Sequence, residues 1–133
     1  MKIEMIPLQI HGDERGSLIA LEETKNVPFS IKRVYYMFNT QGGVRRGFHA
    51  HKELVQLAIP VRGSCRFLLD NGREKVNVTL DNASCGLIIE PYIWHEMFDY
   101  SEDCVLMVLA SDFYNEDDYI RNYEDFKARV THE

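Results

Sequence analysis

The chain has 133 residues, 45% hydrophobic and 27% charged, which suits one globular domain with a proper core and excludes a disordered or collagen-like segment. Its formal net charge of -6 argues against binding to nucleic acid or an anionic membrane, because neither polyanion is attracted to an acidic surface. An anionic small ligand would have to be met by a local cluster of arginines.

The N-terminal stretch MKIEMIPLQIHGDERG contains no apolar run of signal-peptide length, and no later run approaches the roughly 18 apolar residues of a membrane span. The expectation is a cytoplasmic protein. Short β-type runs follow at residues 2–10, 17–22, 31–38, 46–51, 54–60, 64–69, 74–80, 86–90, 94–98 and 104–110. Turn signals separate them: HGDERG, TQGG, Arg62-Gly63, Asp70-Asn71-Gly72, Asp81-Asn82 and Ser101-Glu102-Asp103. Asn71-Gly72 predicts a type I′ hairpin, since both residues tolerate positive φ. After residue 110 the period changes. Tyr119, Ile120, Tyr123, Phe126 and Val130 recur every three to four residues, with Asn115 as a cap, Glu116, Asp117 and Asp118 in a first turn, and Lys127 and Arg129 near the end. This predicts one C-terminal helix whose aromatic stripe packs on the strands. Cys65, Cys85 and Cys104 form no CxxC pair and cannot all bridge, so they read as strand thiols of a reducing compartment.

Many short strands without intervening helices predict an all-β fold, an antiparallel jelly roll, with one short C-terminal helix and a single domain over residues 1–133. The chemistry-bearing feature is Arg45-Arg46-Gly47-Phe48-His49-Ala50-His51. On a strand, residues two apart share a face, so His49 and His51 present two imidazoles side by side. Strict alternation would put Arg45 on that face, but Gly47 is placed to form a bulge that resets it. His11 and His132 carry no pattern.

The spacing of Gly43, His49, His51, Gln56 and Gly63, followed by Gly86, Pro91 and His95, resembles the two motifs of the cupins. The resemblance implies a cupin-type jelly roll. The second motif departs from the common form, with one residue fewer between Gly86 and Pro91 and with Ile93 where a glycine is usual. In metal-binding cupins a carboxylate stands where this chain has Gln56, and a neutral amide removes charge that a divalent ion would want. No metal and no cofactor is therefore expected.

A second resemblance is closer. Asp13-Glu14-Arg15-Gly16 and Arg46-Gly47-Phe48-His49 resemble the D-x-R-G and R-G-x-H signatures of nucleotide-sugar cupins such as the 3,5-epimerases. PFSIKRVYYMF, RGFHAHKELVQ, WHEMFD and VLASDFYNEDDYIRNYEDF are similar to the sugar 3,4-ketoisomerase family, over residues 5–130. The resemblance implies a dTDP-linked 4-keto-6-deoxyhexose as substrate, a 3-keto product of galacto configuration suggested by the Arg15-Gly16 form, and a role in making a deoxyamino sugar for surface polysaccharide. It also implies a homodimer that exchanges N-terminal strands, about residues 2–22.

Moving a ketone from C4 to C3 takes a proton from C3, passes through an enediol, and returns a proton to C4. A further proton moves between the two oxygens. Imidazoles suit this because their ordinary pKa, about 6.5, lies near working pH. His51 is assigned the carbon base and His49 the oxygen shuttle, with the reverse assignment open; Tyr35 is placed to hydrogen-bond the enediolate. Arg46, Arg15 and Arg33 are the candidates for the diphosphate, and His95 for orienting substrate. The alternatives are a 3,5-epimerase, a metal-dependent cupin enzyme and a non-catalytic nucleotide-sugar binder.

Overall fold

The computed structural model describes residues 1–131, so His132 lies outside the described residues. In chain order the elements are β1 (Met5–Pro7), β2 (His11–Asp13), β3 (Gly16–Leu18), β4 (Arg33–Met37), β5 (Arg46–His51), β6 (Gln56–Arg62) and β7 (Cys65–Asp70). They continue with β8 (Lys75–Leu80), β9 (Cys85–Ile89), β10 (Trp94–Phe98), β11 (Val105–Ala110), a 3-10 turn (Glu116–Asp118), β12 (Tyr119–Ile120) and α1 (Tyr123–Thr131). Two five-stranded antiparallel sheets, ordered β1-β9-β6-β11-β4 and β12-β5-β10-β7-β8, face each other, and β2-β3 forms a separate hairpin. The all-β architecture with one short C-terminal helix is as the sequence predicts.

The two sheets close on Ala58, Phe67, Leu69, Leu80, Leu87, Ile89, Leu106 and Val108, all buried between them. Strands β6 and β9 are buried on both faces. Their outward residues Leu57, Ile59 and Ile88 are covered by Leu8, Val27 and the partly buried Ile19, Leu21, Phe29 and Ile31 of the N-terminal segment. That cover explains why QLAIP reads as a continuous apolar run rather than an alternating one. Pro60 sits inside a central strand without loss, because the β6–β9 ladder ends at Ala58↔Leu87 and asks for no donor beyond it. On the other sheet, Phe126 and Tyr123 of α1 pack against Trp94, beside the buried Ala50 and Ile120.

Three expectations are corrected. The helix does not start at Asn115: that side chain caps the 3-10 turn through the Asp117 N–H, and the chain then extends as β12 before Asn122 Oδ1 accepts from Asp125 N and α1 begins. Tyr119 and Ile120 thus belong to a strand paired with His51 and Ala50. The Asp70-Asn71-Gly72 turn is a four-residue loop closed by Asn71 N to Glu74 O. Gly72 alone takes positive φ (93°), because the Asn71 side chain accepts from Arg73 N and Glu74 N and tightens the loop. HGDERG, read as a connection, is the β2-β3 hairpin, folded by Asp13 Oδ1 accepting from Arg15 N.

Candidate active site

The site begins with a defect in strand pairing. His95 of β10 pairs with His49 of β5, but the next residue, Glu96, pairs with Gly47, leaving Phe48 as the extra residue of a bulge. Gly47 (φ 97°) and Phe48 (φ 59°) both take left-handed backbone, and Phe48 turns outward, 44% exposed. A Cβ on Gly47 would lie 2.8 Å from the His95 carbonyl oxygen. The bulge brings Arg46 to the face of His49. Arg45, which strict alternation would favour, instead pairs with Glu96 at 2.6 Å and lies over the Phe98 ring.

His49, His51 and His95 converge, with nitrogens all within 4.8 Å of one another. His49 Nδ1 bonds the Gly47 carbonyl at 3.0 Å and His95 Nδ1 the Ile93 carbonyl at 3.1 Å. A carbonyl can only accept, so both rings carry their proton on Nδ1 and leave Nε2 as a bare acceptor. His51 Nδ1 faces Asp118 Oδ2 at 3.2 Å. Burial pushes all three below the usual imidazole range, His49 to about 4 and His95 to about 3, with the neighbouring rings adding to the effect; for His51 the nearby Asp118 opposes it. All three rings are neutral at neutral pH.

In front of His49 lies a cavity of ≈ 380 Å³ lined also by Arg33, Tyr35, Arg46, Tyr119 and Arg121. His51 and His95 sit behind, 3% and 2% exposed. Tyr35 donates to Gln56 Oε1 at 2.8 Å and burial holds its phenol up at about 12, so it is a hydrogen-bond donor and no base. The Arg33 Nε is buried without a partner, an unmet donor at the cavity wall. A larger cavity of ≈ 440 Å³, lined by Leu8, Ile10, Leu18, Ile59, Val61 and Met107 among others, holds no titratable group and is not the chemical site.

The structure therefore brings together His49, Tyr35, Arg33 and Arg46, with His51 and His95 behind them, but not Arg15. Arg15 is 85% exposed at the tip of the β2-β3 hairpin, paired with Asp13 at 2.6 Å. Three residues escaped the sequence reading: Tyr119, whose ring stands edge-on to both His49 and His51, Arg121, which lies 4.2 Å over that ring, and Asp118. The signal was the run Asp118-Tyr119-Ile120-Arg121, whose three-to-four periodicity with later residues masked it as helix.

Three imidazoles could supply three ligands to a metal, but the fourth cupin position is Gln56, whose oxygen already accepts from Tyr35, so the set offers no anionic oxygen. The residues do not fit a hard divalent ion.

A sequence model described as "FdtA: WxcM-like, C-terminal" matches residues 1–131. The chain is 59% identical over 118 residues to a TDP-4-oxo-6-deoxy-alpha-D-glucose-3,4-oxoisomerase of Aneurinibacillus thermoaerophilus, covering 89% of this chain and 85% of that protein. The chain belongs to the sugar 3,4-ketoisomerase family. Among solved members, a 3,4-ketoisomerase from Helicobacter canadensis superposes with TM-score 0.94 at 45% identity over 98% of both chains. The ketoisomerase QdtA of Thermoanaerobacterium thermosaccharolyticum, in complex with TDP, superposes with TM-score 0.95 at 40% identity over 98% of this chain and 95% of that one. As a member of this family the chain is an enzyme, a sugar 3,4-ketoisomerase, and no helix among its described residues is long and apolar enough to cross a membrane.

The buried imidazoles of this ketoisomerase set its acid sensitivity. His95 in the folded protein titrates at about 3 against 6.5 when exposed. Between these values the unfolded chain binds a proton that the fold refuses, so stability is complete above pH 6.5 and falls as pH drops, by about 1.4 kcal/mol per pH unit for one such group. Thermal melts at pH 7.5, 6 and 5 are expected to show Tm falling across this window, where most carboxylates stay ionised. A flat Tm from 7.5 to 5 contradicts the buried neutral imidazole.

Proposed function

We propose that the chain converts TDP-4-keto-6-deoxyglucose into the 3-keto-6-deoxyhexose of galacto configuration, in the synthesis of a deoxyamino sugar for surface polysaccharide. The observation that carries the reaction is a neutral imidazole, His49, with bare Nε2 at the wall of a cavity that also holds Arg33, Arg46 and Arg121. The substrate class is that named for the 59% identical relative, and a histidine-to-asparagine variant of QdtA, 39% identical to this chain, has been solved with TDP-4-keto-6-deoxyglucose.

In this reading the arginines take the diphosphate, with forked donors that match phosphate oxygens. His49, the ring that reaches the cavity, takes the C3 proton and returns it to C4, which reverses the sequence-based division of labour. His51, behind it, serves the transfer between O3 and O4. Tyr35, protonated throughout, turns its one O–H from Gln56 Oε1 to the enediolate oxygen, and His95 fixes the ring of His49.

The reading includes a homodimer that exchanges the β2-β3 hairpin, so that Arg15 joins the partner's diphosphate site. Its support is the apolar surface one copy leaves open: Ile10, just before the hairpin, and Leu18 at its end are 51% and 61% exposed, and Val34 and Tyr36 on β4, an edge strand, stand exposed with Phe38 just after it. A large open apolar face on a small domain marks an interface.

The test is to incubate chelator-treated protein with TDP-4-keto-6-deoxyglucose in deuterated water, follow the sugar by NMR, and trap the product with a 3-aminotransferase. A 3-keto species of galacto configuration is expected, whose C4 carries the proton brought from C3 or, where that proton exchanges on His49 first, a deuteron. Label at C5 would mean epimerase chemistry, a gluco product would overturn the stereochemistry, and inactivity until metal is added would overturn the imidazole-only mechanism. Sedimentation of the same sample should give the mass of two chains; a monomer removes the exchange.

A further inference from the structure

Of the three converging imidazoles, one is held differently. His49 and His95 give Nδ1–H to neutral backbone carbonyls, whereas His51 gives it to a carboxylate 67 residues further along the chain. That carboxylate does more than touch His51. Asp118 Oδ1 accepts from Glu53 N at 2.9 Å, Oδ2 accepts from Leu54 N at 3.3 Å, and the Asp118 carbonyl accepts from Lys52 N at 3.0 Å. Every residue from 51 to 54 is thereby bonded to Asp118.

We propose that Asp118 is a positioning residue of the ketoisomerase: it locks His51 in the Nδ1–H tautomer and clips the strap bearing Tyr119 and Arg121 across the imidazole cluster. The backbone half of this role needs no charge at Oδ1, where an amide oxygen would still accept from Glu53 N; an amide NH2 would then stand where Oδ2 meets Leu54 N and His51 Nδ1. The charge matters at Nδ1. When a proton reaches His51 Nε2 during turnover, the imidazolium has an anion against it, while the same proton on His49 or His95 has only a carbonyl dipole. His51 is thus the ring built to hold a transient proton, although it lies behind the ring that faces substrate. Arg33 and Arg121 raise the cost of that charge from the cavity side, and Asp118 opposes them. Because the strap crosses beside β5 by only two register pairs, Tyr119↔His51 and Ile120↔Ala50, its hold on Tyr119 and Arg121 depends on the Asp118 clip.

The inference rests on His49 and His51 being the acid/base groups, and its test separates the two. Nitrogen-15 NMR of the native protein without substrate reads the His51 tautomer directly and is independent of turnover. Nδ1–H with bare Nε2 is expected, and Nε2–H overturns the proposal even if the enzyme is fully active. Asp118→Asn is expected to release the fixed tautomer and lower kcat about 10²-fold while KM and TDP affinity stay within about threefold. Asp118→Ala, which frees Glu53 N as well, is expected in addition to weaken TDP binding and lower Tm. An Asp118→Asn enzyme with kcat within about threefold of native, or with the His51 nitrogen shifts unchanged, overturns the proposal. If that variant does not fold, the native tautomer decides alone.

Discussion

His49→Asn is expected to lower kcat about 10³-fold while leaving TDP affinity within about twofold. Among the three rings, His49 alone lines the cavity, and its Nδ1–H is spent on the Gly47 carbonyl, so the lone pair on Nε2 is what a C3–H bond would meet. With a pKa near 4 in the empty pocket it is wholly in the basic form, though a weak base. A bound diphosphate places negative charge near the ring and pushes its pKa back up, so the substrate itself strengthens the base that acts on it. Asparagine keeps size and polarity, so binding survives, but it has no basic nitrogen to take up and return a proton. Steady-state rates beside a TDP titration check it. A variant within tenfold of native in kcat, or a larger loss in His51→Asn than in His49→Asn, would return the carbon base to His51.

Gly47→Ala is expected to cost about 1–3 kcal/mol in stability from backbone strain alone, and to reduce activity well beyond what the unfolded fraction accounts for. A methyl there must hold φ near 97° and lie 2.8 Å from the His95 carbonyl oxygen. Relief would come from relaxing the bulge, which is what puts Arg46 and His49 on the same side. The measurement is Tm together with kcat at a temperature where the variant is fully folded. Full activity in the folded variant would show that the bulge does not set the Arg46–His49 register.

How much of this was legible in the sequence depends on the range of the forces involved. Strands β5 and β10 were predicted to the residue, because alternation and flanking turns are local, and the HxH pair named the site. Gly47 was singled out as the bulge for a local reason as well. The strap was not legible: Tyr119-Ile120 forms strand because the edge of β5 is open to it, and that edge lies about 70 residues back in sequence. Local period alone favoured helix. The choice between His49 and His51 depends on depth in the fold, 3% exposure for His51 against a place on the cavity wall for His49, and depth is a tertiary quantity. Arg15 was found by motif, yet one copy of the chain holds it on an exposed hairpin away from the imidazoles.

The two-residue strap has a consequence for how such enzymes diverge. Tyr35 and His49 sit on β4 and β5, strands held in the ladders of the two main sheets. Tyr119 and Arg121 flank a single buried anchor, Ile120, and carry little of the fold themselves. Selection can therefore retune the lining of the pocket through a few codons after β11 while the two sheets stay as they are, separating the part of the gene that keeps the protein folded from a part that shapes the cavity wall.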